Sequence, residues 1–299
     1  AVIIGSYKLL KSQLKILKIK RKLKKIKTPE EIRKNDKVLN ILDIPLKFKK
    51  AFKVNHKVSS SYVKKCLVIG HNLCLQKKIK GIINCPINKK NLFKNKNQGV
   101  TEFLAKKNKV FNSEVMVIYN KNLSVVPITT HIKLKNVSKF IKKDFLSKKL
   151  ITLNKFFIKY LKKTPKIGVL GLNPHNLELK KNSEEIKVII PTIKLLKKSM
   201  KVSGPYPSDT IFFKDNLKKF DVIVGMYHDQ VLSPFKALYG FDAVNITFGL
   251  PYIRMSPDHG IAEDKIKLNV SNPQSLNRCI DMITKLIKWN LKNRLVKTF

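Results

Sequence analysis

Apolar residues along this chain fall into short runs parted by polar stretches, and their spacing predicts alternating strands and helices. Ala1 to Ile4 is an apolar strand-like run, and behind it Leu9, Leu10, Leu14, Ile16 and Leu17 recur at near-helical spacing in a Lys-rich segment. Thr28-Pro29-Glu30-Glu31 has the form of a turn or helix start, with Pro in the first turn and acids behind it. Val38 to Leu42 reads as a short strand, Ser59 to Ile69 as a helix continuing toward Lys78, and Gly81 to Cys85 as a buried strand. Two β-rich runs, Val115 to Tyr119 and Ser124 to Ile128, flank a hairpin turn at Asn120-Lys121-Asn122. A long helical stretch then covers 136 to 162, followed by a strand at Lys166 to Gly171 and a helix at 183 to 199. Strands at Val222 to Met226 and Ala243 to Phe248 and a terminal helix from 273 to 293 complete the pattern.

Strands that alternate with helices predict an α/β fold, a three-layer α/β/α arrangement with a largely parallel sheet. No apolar run reaches the roughly 18 to 20 residues that span a bilayer, so no membrane association is expected. The opening Ala-Val-Ile-Ile-Gly carries no basic region or cleavage pattern of a signal peptide. Cys66, Cys74, Cys85 and Cys279 lack CxxC spacing, which predicts reduced thiols in a cytoplasmic protein.

The formal net charge of +44 raises the question of a nucleic-acid partner. Only Arg21, Arg33, Arg254, Arg278 and Arg294 among 63 basic residues are arginines, however, and Arg is the residue suited to bidentate base and phosphate contacts. Lysines are spread over nearly every element beside many Asn and Ile, the mark of compositional drift, so no nucleic-acid function is expected; a basic nucleic-acid-binding protein remains the distant alternative.

Three histidines sit at the ends of predicted strands: His131 in PITTH, His175 in GLNPH and His228 in GMYHDQ. Carboxyl ends of strands are where α/β folds gather ligands, and three neutral imidazoles with an open position suit a catalytic divalent ion. Read singly, each is equally an ordinary loop or core histidine, and intervals of 44 and 53 residues form no local metal motif. Asp209 and Asp229 are carboxylates able to orient a metal-ligating histidine or relay a proton, with a helix N-cap as the other reading of Asp209. No GxGxxG turn follows any predicted strand.

Residues 171 to 175 (GLNPH), 204 to 212 (GPYPSDTIF), 225 to 230 (GMYHDQ), 244 to 254 (VNITFGLPYIR) and 256 to 260 (SPDHG) occur in the order and approximate spacing of one family. In them the chain resembles the 4-hydroxythreonine-4-phosphate dehydrogenase (PdxA) family, and the likeness continues thinly through Pro127 to His131, Gly99 to Glu102 and Gly81 to Lys89. The resemblance implies a fold like isocitrate and isopropylmalate dehydrogenases, with two lobes around a cleft. The lobes would be interleaved within one unit over 1–299, about 1–110 plus the C-terminal segment and about 111–250. It implies that His131, His175 and His228 bind a divalent metal (Zn2+, Mg2+ or Co2+) in a site shared by the subunits of a homodimer. It further implies that Thr101, Lys236, Asn245 and Arg254 bind a phosphorylated small-molecule substrate, that Asp209 assists catalysis, and that NAD or NADP is the cofactor. A fixed-charge Arg, a Lys point charge and an Asn that donates and accepts agree with that substrate, although Arg254 is equally placed to pair with Asp258 and Lys236 to be one solvated lysine of many. The expected activity is oxidation of 4-phosphooxy-L-threonine in pyridoxal phosphate synthesis, with a paralogous D-threonate or D-erythronate 4-phosphate dehydrogenase as the alternative.

The sequence departs from that pattern in three places. The early Gly-Glu-Pro-Ala-Gly-Ile-Gly stretch of the family is absent, so the chain is expected to lack one strand and one helix, and an inactive fragment is a further reading. Val100 stands where most of the family has a substrate-contacting His before Thr101. The loop after His175 reads Asn-Leu-Glu-Leu-Lys-Lys in place of a glycine-rich turn, which predicts a different backbone path.

Overall fold

Segments 1–96 and 260–272 pack into one unit, and 97–259 and 273–299 into a second, in the computed structural model. The structure describes residues 1–33, 37–88, 92, 99–262, 265 and 270–295. The C-terminal segment is thus divided, whereas the resemblance implies that it joins the first lobe whole. The boundary also falls before residue 100, because Thr101 bonds to Thr247 and Arg254 of the second unit.

In the first unit, strand β1 (Val2–Gly5) leads into helix α1 (Tyr7–Ile16), then β2 (Leu23–Ile26), β3 (Leu39–Asp43), helix α2 (His56–Leu75) and β4 (Gly81–Ile83). β1 and β2 flank β3, both parallel to it. Ser6 caps α1 by accepting from Leu9 N at 3.2 Å, and Asp43 at the end of β3 accepts from Tyr7 N at 2.8 Å while pairing with Lys25 at 2.8 Å. One turn of α2 lies close to the sheet, since a Cβ at Gly70 would already touch Ile4 and Ile82 at 3.4 Å. β2 escapes periodicity because its core, Lys24-Lys25, is charged.

The second unit begins with helix α3 (Val100–Lys107) and the hairpin β5 (Val115–Tyr119) and β6 (Ser124–Pro127). The predicted helix over 136–162 is broken into α4 (Val137–Phe140), α5 (Lys143–Phe156) and a π turn at Phe157–Leu161. There follow β7 (Ile167–Leu170), α6 (Ile190–Leu196), β8 (Val202–Tyr206), α7 (Lys214–Leu217), β9 (Val222–Gly225), α8 (His228–Tyr239), β10 (Val244–Phe248), β11 (Ile253–Pro257) and α9 (Gln274–Leu295). Within this unit the strand order is β11-β10-β5-β6-β9-β7-β8. Neighbours are parallel from β6 through β9 and β7 to β8, and antiparallel from β6 through β5 and β10 to β11. Parallel pairs predominate over the two units together, in keeping with an α/β fold.

Alternation along β5 and β10 shows which helix covers which face. Phe248 stands opposite Val115 and stacks on Phe156 of α5, ring centroids 3.4 Å apart. Met116 and Ile118 point the other way, into a cluster with Val231, Leu232 and Phe235 of α8. Both faces of the sheet are therefore covered, and continuous apolar runs such as Val115 to Ile118 are the expected sequence of strands buried on two sides. Among the described residues no helix is long and apolar enough to cross a membrane, and no disulfide is formed.

Because Phe248 is fully buried and stacked, Phe248→Ala is expected to cost about 3–5 kcal/mol, read as a lowered urea midpoint.

Candidate functional site

The parallel order β6-β9-β7 places the carboxyl ends of three strands side by side, and each is followed by one of the three candidate histidines. Pairing runs past the strands themselves: Ile128 N donates to Gly225 O at 2.8 Å, and both the backbone N–H and Oγ1 of Thr129 donate to Met226 O at 3.2 and 2.7 Å. These bonds carry the segment leading to His131 alongside the one leading to His228. The two imidazoles face each other with centroids 6.2 Å apart and planes inclined by 38°.

His228 opens α8, and its Nδ1 lies 2.7 Å from Asp229 Oδ1. Facing an ionised carboxylate, which only accepts, Nδ1 is the donor, and the neutral ring would then have its lone pair on Nε2, where a metal could bind. Gln230 ties the loop down: Met226 N donates to its Oε1 at 2.7 Å, and its Nε2 donates to Gly171 O at 2.7 Å, joining the ends of β9 and β7. The glycine of GMYHDQ follows from this packing, because a Cβ at Gly225 would lie 2.6 Å from Val231 and 2.9 Å from Gln230 Oε1.

His175 sits apart, exposed on the loop after β7. Among the described residues no three His, Cys, Asp or Glu side chains gather into a set able to hold a metal, so one chain brings together His131 and His228 without His175. The left-handed backbone that glycine would favour is nevertheless kept here, by His175 (φ 47°) and Asn176 (φ 55°). The predicted change of path is therefore not a loss of positive φ, and Asn is among the residues that tolerate it. Such a conformation costs on the order of 1 kcal/mol or more and persists where surroundings impose it. Glu185 anchors the start of this loop from a fully buried position: its Oε1 accepts from Leu172 N at 2.7 Å and Asn173 N at 3.0 Å, and Oε2 accepts from Asn173 Nδ2 at 3.1 Å. Burial alone would push this carboxyl up, but donors from Asn173 and Leu172 outweigh it and hold it below its ordinary 4.5.

The candidate anion-binding residues share the α8 face of the sheet. Asn245 and Thr247 pair across from Ile118 and Met116, and Ser256 and Arg254 pair across from Asn245 and Thr247. Arg254 is 3% exposed, and its Nη1 donates to Thr247 Oγ1 at 3.0 Å and Thr101 Oγ1 at 3.3 Å. Burial lowers the guanidinium to about 10, with the Glu102 charge leading the opposition, so it stays ionised at neutral pH. Among the described residues the buried Asn245 Oδ1 has no hydrogen-bond partner, an arrangement that suits a ligand donor.

Two other readings of the sequence are corrected. Asp258 is taken by Lys236, which forms an ion pair with its carboxylate and donates to its backbone O at 2.7 Å, so Lys236 is no solvated lysine. Asp209 is exposed on the turn after β8, and the next helix, α7, has Phe213 at its N-cap position, so Asp209 is not its cap. The glycine of the GPYPSD stretch is required: Gly204 has φ 131°, and a Cβ there would lie 2.3 Å from Val169 O.

Glu102, Gln230, Glu185 and Thr247 are the site residues that sequence reasoning passed over. Glu102 and Gln230 lie inside quoted motifs, and Gly-x-x-Glu at 99–102 is a cap-like signal; nothing local marks the buried Glu185. Removing the Glu185 anchor by Glu185→Ala is expected to cost about 1–3 kcal/mol at pH 7. Since its folded pKa is lowered, the stabilisation is present above its unfolded value and fades as pH falls through the folded one, so urea midpoints of wild type and variant should converge in acid.

Comparison with known proteins matches the family model described as pyridoxal phosphate biosynthetic protein PdxA over residues 1–283. The chain is 38% identical over 300 residues to a 4-hydroxythreonine-4-phosphate dehydrogenase of Aquifex aeolicus (strain VF5), spanning 96% of this chain and 89% of that protein. It is 34% identical over 258 residues to a D-threonate 4-phosphate dehydrogenase of Pectobacterium atrosepticum, spanning 83% and 78%. The crystal structure of 4-hydroxythreonine-4-phosphate dehydrogenase from Klebsiella pneumoniae superposes with a TM-score of 0.81 at 29% identity, covering 95% of this chain and 89% of that one. The strand-end histidines, the buried arginine and these matches together place the chain in the pyridoxal phosphate biosynthetic protein PdxA family.

Proposed function

We propose that this chain is an NAD(P)-linked, metal-dependent dehydrogenase that oxidises 4-phosphooxy-L-threonine at its secondary alcohol, with loss of CO2 to give 3-amino-2-oxopropyl phosphate. The reading rests above all on one juxtaposition, a facing histidine pair and a buried guanidinium carried by one sheet. Two antiparallel steps separate β10 from β6, so β10 runs in the same sense and ends at the same edge as the histidine-bearing strands. Thr247 near that end, and Arg254 opposite it, are the anion-binding groups closest in the sheet to the histidines.

The donor set fits a divalent ion: two imidazoles face each other, and Asp229 fixes the tautomer of one. The third ligand is assigned to the partner subunit's His175, which accords with its exposed position on a loop held in an uncommon backbone conformation. Zn2+, Mg2+ or Co2+ supplies Lewis acidity toward the alcohol and ketone oxygens, and NAD(P)+ is the hydride acceptor the electron balance requires. The chain's own residues hold and orient. Arg254 with Thr101 and Thr247 receives the phosphate, and Asn245 Oδ1 accepts from a substrate N–H or O–H. Lys236 contributes to anion binding only after exchanging its contact with Asp258. The function is that of an enzyme of the cytoplasm in pyridoxal phosphate synthesis.

A second reading, oxidation of D-threonate 4-phosphate, is favoured by the Pectobacterium atrosepticum relative and by Val100, a buried side chain without a hydrogen-bonding group. The two substrates differ in carrying an amino group or a hydroxyl beside the carboxylate. NAD(P)H formation from each, with and without metal, separates them: faster turnover of 4-phosphooxy-L-threonine supports the first reading, and its reversal the second. His131→Ala is expected to lower kcat by more than about a hundredfold while leaving the urea midpoint close to wild type; undiminished turnover would falsify the metal assignment.

A further inference from the structure

Glu102, in the first turn of α3, has no part in the reaction as proposed, yet both of its carboxylate oxygens are committed. Oε2 accepts from Gly99 N at 2.9 Å, and Oε1 accepts from Thr130 Oγ1 at 3.1 Å. A helix cap needs only the first of these bonds; the second reaches 28 residues along the chain to the neighbour of His131. A Cβ placed on Gly99 would lie 2.7 Å from Glu102 Oε2 and 3.5 Å from Cδ2 and Nε2 of His131, so carboxylate and imidazole lie on the same glycine. The Glu102 charge also raises the pKa of two buried cations, Arg254 and Lys149, opposing the lowering that their burial imposes.

We propose that Glu102 is a positioning residue for the histidine pair, holding His131 toward His228 through Thr130 and the Gly99 backbone. The inference deepens the function proposed above and rests on its metal assignment. Glycine at 99 then has a reason, since a Cβ there would lie 2.7 Å from Oε2 and displace the carboxylate from the backbone it holds. Glu102→Gln keeps one acceptor oxygen and loses the other, so it cannot make both bonds as an acceptor. Thr130→Val removes the hydroxyl while keeping the shape.

The test is calorimetric binding of Co2+ to the full chain in wild type, Glu102→Gln, Thr130→Val, the double variant and His131→Ala, with the urea midpoint of each. The expected result is a 10- to 100-fold weaker Co2+ affinity in Glu102→Gln, the range for residues that support metal ligands. Thr130→Val should weaken binding in the same direction, and the double variant should be no weaker than Glu102→Gln, because both remove one linkage. Co2+ affinity within twofold of wild type in Glu102→Gln, with only the urea midpoint lowered, would reduce Glu102 to a helix cap and overturn the inference. Multiplicative effects in the double variant would overturn it as well. Failure of the underlying metal reading looks different: His131→Ala would then bind Co2+ as wild type does.

Discussion

Burying the guanidinium of Arg254 is the constraint around which the second unit is arranged. An ion at 3% exposure loses most of its hydration, and the loss is tolerable only where polar groups and opposite charge surround it. That requirement accords with the polar residues Arg254 and Ser256 in β11, a strand buried along its whole length, and with the polar face that Asn245 and Thr247 give β10. It also explains why α3 belongs to this unit, bringing Thr101 to the guanidinium and Glu102 into its field. On the proposed reading, a charge kept ionised with hydroxyls as neighbours would exchange these weak partners for the stronger ones of a phosphate.

The histidine edge and the arginine cluster are held by different means. Backbone pairing of β6 with β9, continued to Thr129, fixes the base of the His131 and His228 segments, and Gln230 locks the ends of β9 and β7 together. These short bonds fix the backbone segments from which the two imidazoles project. The start of the His175 loop is held instead by the buried carboxylate of Glu185, which accepts from Leu172 N and Asn173 N.

Much of the sheet was legible in the sequence because its central strands are apolar on both faces: Val115 to Tyr119, Ser124 to Pro127 and Val222 to Gly225 are runs that no surface helix would tolerate. β8 and β11 were not, since Gly204-Pro205, where the backbone passes close to Val169 O, and the polar Arg254 and Ser256 break the strand pattern. The C-terminal segment divides between the units at 272/273, although the resemblance assigned it whole to one lobe; the predicted helix start at 273 marks the break, but only tertiary contact shows which unit each part joins. For the site, periodicity supplied the strand ends and therefore the three histidines, but intervals of 44 and 53 residues carry no geometry. The adjacency of β6, β9 and β7 is a property of topology, and so the pairing of His131 with His228, and the separate position of His175, became visible only in the fold. Glu185 and Glu102 stayed hidden for a related reason, as each acts on residues distant in sequence.

The most direct test of the account is a crystal structure of the protein grown with Zn2+, with the metal located by its anomalous scattering. The account predicts one strong peak per chain between the facing rings, about 2.0–2.1 Å from a nitrogen of His131 and of His228, with the partner subunit's His175 completing the set. A peak elsewhere, with none between His131 and His228, would contradict it.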